Sequence, residues 1–136
     1  MTLPILEQIR AINASAPFNR WAGFDVTAAG EGRAEIRLAM RDELTQYSGF
    51  LHAGVTGALI DTVCGFTAAT VAGRVLASHY QVGFYAPAVG QLMIARGHVV
   101  KAGKRQIFAN AEIFAVADGE ERLVAGGSSV LMVATG

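Results

Sequence analysis

The sequence predicts an α+β domain in which an antiparallel sheet curls around one long helix, and three observations carry that expectation. The stretch from about 53 to 72, "AGVTGALIDTVCGFTAATVA", holds no proline and a single charged residue, Asp61. It reads as a helix that is apolar nearly all round and therefore belongs inside the protein. Segments with period-two alternation precede and follow it, which is strand patterning. The runs "AGEG", "KAGKR" and "DGEE" supply tight turns between consecutive strands, so neighbours pair as antiparallel hairpins. Strands in hairpins with one apolar helix inserted among them form a sheet packed on that helix. A chain of 136 residues fits one domain, taken as 1–136, with a core of its own.

The elements follow in order. Ile5, Ile9 and Ile12 recur at helical spacing and predict a short amphipathic helix over about 4–14, stopped by Pro17 before a second short turn at Phe18 to Trp21. "FDVTA" and "RAEIRLAM" flank the first turn as a hairpin with Ala34, Ile36 and Leu38 on one face. The central helix follows at about 53–72. Its glycines at 54, 57 and 65 would each cost roughly 1 kcal/mol in an isolated helix, so close packing against the sheet and a neighbouring subunit must offset them. Four strands complete the chain at about 75–85, 91–101, 105–117 and 122–134. No repeat, linker or low-complexity tract interrupts them.

Composition narrows the function classes. Eleven basic residues balance eleven acidic ones, leaving no net field to hold nucleic acid or an anionic membrane surface. The one cysteine, Cys64, rules out an intramolecular disulfide framework, and with the three histidines it shows no zinc-site spacing. A metal-free cytoplasmic protein is the expectation. Glu7 and Arg10 break the apolar core that a secretory signal needs. Residues 75–95 lack Lys, Arg, Asp and Glu, yet Ser78, His79, Gln81, Pro87 and Gln91 and the alternation mark them as strand rather than membrane span. Because 52% of residues are hydrophobic and only 16% charged, a domain this small is expected to hide part of its surface in an oligomer.

Asp61 raises the functional question. An unpaired buried carboxylate costs several kcal/mol or protonates, so it faces a polar cleft or has a specific partner. Cys64, one turn on, reads as a small core hydrophobe. At the start of the helix, "HAG" puts Ala53 and Gly54 in the first turn, whose N–H groups lack intrahelical acceptors. Such groups can bind an anion or a carbonyl oxygen that gains charge during acyl transfer, or can simply be capped by water. Eight residues at 1.5 Å rise separate Ala53 from Asp61 by about 12 Å, too far to act on one carbonyl within one chain. Two such helices packed antiparallel about a twofold axis bring the start of one beside the middle of the other, so a catalytic site would be composite.

The run "GFLHAGVTGALID", residues 49–61, resembles the HGG-x-x-x-x-x-x-D signature of the PaaI-like hotdog-fold acyl-CoA thioesterases. "FYAPAVGQL", "GKRQIFANAEIF" and "LVAGGSSVLMV" are similar to further segments of that family, so the resemblance covers most of the chain. It implies a hotdog fold and hydrolysis of a small, medium-chain or aromatic acyl-CoA, with no cofactor beyond the coenzyme A of the substrate. It implies Asp61 as general base or nucleophile, the Ala53 amide as oxyanion contact, Gly54 as the second motif glycine and His52 as a residue that holds the loop. Gln46 stands where the family often has an orienting asparagine. Ala77 stands where many members carry a Ser or Thr that assists the attacking water, so either a bulge brings Ser78 to that role or the helper is missing. Lys101, Lys104, Arg105 and Arg74 are the candidate partners for the coenzyme A phosphates, or else a solvated turn. Tyr47, Phe50, Phe66, Phe84 and Tyr85 are candidates for an acyl pocket or for the core, and His79 and His98 read as structural. The implied assembly is a homodimer with shared sites, extended to a tetramer. The other readings are a non-catalytic acyl-CoA-binding or scaffold protein and a hotdog dehydratase or hydratase, for which His52 alone lacks the paired acid.

Overall fold

A computed structural model describes residues 3–134. Two short helices, α1 (Ile5–Ser15) and α2 (Pro17–Ala22), lead into the hairpin β1 (Asp25–Gly30) and β2 (Arg33–Ala39). A 3-10 turn at Asp42–Leu44 precedes the 20-residue helix α3 (Ala53–Ala72). Strands β3 (Val75–Phe84), β4 (Leu92–Ala102), β5 (Gln106–Ala117) and β6 (Glu120–Val133) follow. All six strands form one antiparallel sheet in the order β1-β2-β4-β5-β6-β3.

Local chemistry explains most of these limits. The β1–β2 and β5–β6 hairpins turn through Glu31–Gly32 and Asp118–Gly119, and in both all four φ values are positive, between 52° and 79°. That is the two-residue turn whose twist matches the flanking strands. Ala34, Ile36 and Leu38 lie buried on the inner face, as the alternation predicts. The helix α1 departs from the isoleucine pattern. Ile9 is buried, but Ile12 is 53% exposed and Asn13 takes the inward position. Its Nδ2 donates to the Phe24 carbonyl at 2.9 Å, and its Oδ1 accepts from Asn19 at 3.0 Å. The inward stripe therefore runs at i, i+4, with a satisfied polar group at one position.

The inner face of the sheet wraps α3, burying Leu59, Ile60, Val63, Cys64 and Ala68 against Met93, Ala95, Ile107, Ala109, Ala111, Ile113 and Leu131. Helix α3 has the length and composition of a membrane span, yet it is the core helix, with half of its residues buried inside the protein. Strand β3 follows α3 directly but joins the sheet beyond β6, at the far edge. Gly127 makes that seam possible: a Cβ there would collide with the Gln81 carbonyl and come within 3.0 Å of Ile60.

Candidate active site

The chain enters α3 in a fixed direction. Thr45 bridges Leu51, the Gln46 N–H donates to the Phe50 carbonyl at 2.9 Å, and the His52 N–H donates to the Leu44 carbonyl at 2.9 Å. His52 is the N-cap. Its Nδ1 accepts from the Gly54 N–H at 2.8 Å, so the ring must keep Nδ1 unprotonated. A Cβ on Gly54 would stand 3.0 Å from that nitrogen, which is why the second motif position is glycine. The Val55 and Thr56 amides both donate to the His52 carbonyl, at 2.9 and 3.1 Å. Among the described residues, Ala53 is thus the one first-turn amide with no acceptor, held where the helix dipole favours negative charge.

This amide opens on a cavity of about 440 Å³. Its polar groups are Gln46, His52 and Thr56, and aromatic side chains of Tyr47, Phe50, Phe84 and Tyr85 line it. An apolar cavity with a few convergent polar groups is the usual form of a small-molecule site. The Gln46 Oε1 accepts from the Ser48 N–H, which holds the carboxamide against its own loop. Phe66 does not reach the cavity and belongs to the core.

Asp61 does not line this cavity. It lies two turns along α3, half-buried, with no ion pair among the described residues. Burial alone pushes its carboxyl above the ordinary 3.8. Cys64 is fully buried with its thiol 3.8 Å from the Ala109 carbonyl. Burial, then the nearby Asp61 charge, push it up to about 12, so it packs as a hydrophobe.

Strand β3 does carry a bulge, with the register shifting between Ala77 and His79. The bulged Ser78, however, donates its hydroxyl to the Val130 carbonyl at 3.2 Å. The basic residues gather at the opposite end of the molecule from the cavity. The Ala134 N–H donates to the Arg74 carbonyl and the Val133 N–H to that of Arg105, both at 2.9 Å. These bonds join the end of α3, the β4–β5 turn with Lys101 and Lys104, and the end of β6. Arg74, Lys101, Lys104 and Arg105 are exposed and make no ion pair among the described residues. Twenty helical residues span about 30 Å, so one chain cannot offer its own basic end and its own Ala53 amide to one compact group. His79 and His98 are exposed, and no group of three metal-ligating side chains forms among the described residues.

Two residues were not legible as site candidates. Thr56 is buried on the cavity wall one turn after Ala53; its spacing of three from Ala53 was the available signal. Tyr80 of β3 lays its phenol against Gly57 of α3, and a Cβ on Gly57 would stand 3.3 Å from the hydroxyl. The mid-helix glycine announced a close approach without saying by what.

The wrapped central helix and the capped "HAG" turn define the class, a hotdog-fold domain, and comparison with known proteins gives the family. Residues 48–121, more than half of the chain, match the thioesterase superfamily model, and the chain belongs to that superfamily. A thioesterase family protein from Silicibacter pomeroyi is 32% identical, with 98% of this chain and 100% of that one covered and a TM-score of 0.94. Two further structures show the same fold. Thioesterase superfamily member 2 of zebrafish is 22% identical with a TM-score of 0.82, covering 98% of this chain and 100% of that one. The PaaI protein of the E. coli phenylacetic acid degradation operon is 19% identical with a TM-score of 0.87, covering 97% and 94%. No protein of curated function matches the sequence.

Proposed function

We propose that the protein is an acyl-CoA thioesterase that works as a homodimer with two composite sites. The observation that carries this reading is the pairing, on one helix, of an acceptor-free Ala53 amide at a cavity with an unpaired, half-buried Asp61 about 12 Å away. In the dimer the Ala53 amide of one protomer binds the thioester oxygen as it gains charge. Asp61 of its partner takes a proton from water, whose oxygen bonds to the acyl carbon, or attacks that carbon itself. The carbon–sulfur bond then breaks, and the thiolate leaves and is protonated; where Asp61 itself has attacked, water then cleaves the mixed anhydride, releasing the acid and restoring the carboxylate. The net change is thioester plus water to carboxylic acid plus thiol.

Two features support a second copy at this place. Strand β3 is ten residues long and, among the described residues, pairs on one side only, with β6, and a long unpaired edge is a template for another strand. The outward stripe of α3 consists of Gly54, Ala58, Asp61, Gly65 and Ala69. A Cβ on Gly65 would meet nothing within 4 Å, so nothing inside the chain explains a glycine that costs about 1 kcal/mol mid-helix. Antiparallel helices that meet on the N-terminal part of that stripe, near position 57, put Asp61 level with the partner's Ala53 and set Gly65 against the loop ahead of the partner's helix. The exposed basic end then lies about 17 Å beyond Asp61 of its own chain, estimated from helical rise, as a site for the coenzyme A phosphates.

Free-thiol release from short, medium-chain and aromatic acyl-CoAs tests the reading. Turnover of at least one is expected, with the acid limb of kcat/KM above the ordinary aspartate range because the Asp61 carboxyl is raised. Asp61→Asn, which removes a half-buried charge and keeps the side-chain shape, is expected to lower kcat by about 10²–10⁴-fold. Equal rates in both proteins reject the site, and coenzyme A binding without any turnover makes this a binding protein instead.

A further inference from the structure

We propose that Tyr80 is a positioning residue whose hydroxyl holds, together with Asp61, the water that attacks the thioester. The inference rests on the reading of Asp61 as the group that activates that water.

Three observations place this hydroxyl. Tyr80 pairs with Ser129 in the β3–β6 ladder, and its ring turns inward onto α3 rather than outward. The contact falls on Gly57, where an added Cβ would stand 3.3 Å from the hydroxyl and 3.6 Å from a ring carbon. A methyl group at 57 would shift the phenol by a few tenths of an ångström and a larger side chain by more, so the glycine and the tyrosine act as a pair. Gly57 and Asp61 are four residues apart and share one face of α3, about 6 Å apart along the axis. Helical side chains lean towards the N-terminus and cover the preceding turn. The Asp61 carboxyl therefore leans over the turn that holds Gly57, the residue the Tyr80 hydroxyl lies against. No hydrogen bond joins the two among the described residues, and Tyr80 is 46% exposed in the single chain, which leaves the hydroxyl free to hold a water. The neighbouring Ser78 does not compete, because its hydroxyl is engaged by the Val130 carbonyl.

The division of labour is then definite. The Tyr80 oxygen accepts one hydrogen of the water, and the Asp61 carboxylate accepts the other and takes that proton as the water oxygen bonds to the acyl carbon. Asp61 acts as a base, and Tyr80 undergoes no covalent change.

Tyr80→Phe keeps the ring on Gly57 and removes only the hydroxyl. The expected result is a fall in kcat of about 10–100-fold with KM changed less than about threefold, at an unchanged melting temperature. Gly57→Ala in wild type lowers kcat as well, but adds little in the Tyr80→Phe background, because the hydroxyl it displaces is already gone. A second readout needs no substrate: the Asp61 carboxyl titration, followed by carbon NMR on the whole protein, shifts in Tyr80→Phe if the two groups share a water. Undiminished kcat with an unmoved Asp61 titration overturns the proposal, and does so without touching the thioesterase reading if Asp61→Asn is inactive. A moved titration in a protein that hydrolyses no thioester supports the Tyr80–water–Asp61 unit while rejecting hydrolysis.

Discussion

At the scale of single residues, the role proposed for Ala53 belongs to its backbone rather than its methyl group, and this gives a clean test. Proline is favoured at the first position of a helix, where its missing N–H costs no intrahelical bond. The preceding His52 already has φ −59° and ψ 135°, the extended conformation that a following proline demands. Ala53→Pro should therefore fold with a melting temperature close to wild type while deleting the free amide. The expected loss is about 10²–10³-fold in kcat, and full activity in this variant would remove Ala53 from the site. The role of the histidine was implied by resemblance alone; the bond from the Gly54 N–H to Nδ1 gives it a local cause. Its spacing two residues ahead of a glycine was visible in the chain, whereas the bond depends on the entry angle that the Leu44 and Ala88 carbonyls set.

Between elements, the outer face of the sheet is tied by charge. Arg96 of β4 donates from Nε to Glu35 of β2 at 3.0 Å and from both terminal nitrogens to Glu121 of β6, at 2.7 and 3.0 Å. Its guanidinium lies 5.0 Å from the centre of the Phe114 ring. Burial pushes the Glu35 carboxyl up, but hydrogen bonds from Thr27, Arg96 and Arg37 together outweigh it and hold the group below its ordinary 4.5. A lowered carboxylate stabilises the fold above that ordinary value, and the contribution fades as pH falls through the folded one. Arg96→Ala should cost about 1–2 kcal/mol near neutral pH, since the bonds are charge-assisted but partly exposed. The cost should shrink below about pH 4.5, which urea unfolding at several pH values would read; a cost independent of pH would assign it to the lost packing on Phe114. None of this was legible in the sequence, because Glu35, Arg96 and Glu121 meet only through register. The bulge that sends Ser78 to Val130 was likewise open in the sequence, as bulges answer to pairing across strands.

For the whole molecule, the proposed composite site requires a partner, and Gly65 tests for one. Gly65→Glu meets open space in the single chain and improves helix propensity by roughly 1 kcal/mol or less, yet places a charge against the loop that leads into the partner's helix. Sedimentation should show a monomer, with thioesterase activity reduced by at least about 100-fold; a fully active dimer would contradict the helix crossing. The limits of α3, the three hairpin turns and the inward face of β2 were legible in the sequence, because helix continuity, turn-forming residues and alternation are short-range properties. The sequence also determined that Asp61 and Ala53 cannot serve one carbonyl within one chain, since helical rise is fixed. That β3 joins the far edge beyond β6, that Ala53 keeps its amide free while Gly54 does not, that Ser78 is engaged elsewhere and that Tyr80 lies on Gly57 emerged in the folded chain alone. Each of those depends on which distant backbone groups arrive beside a residue, and that is set by packing around the helix rather than by neighbours in the chain.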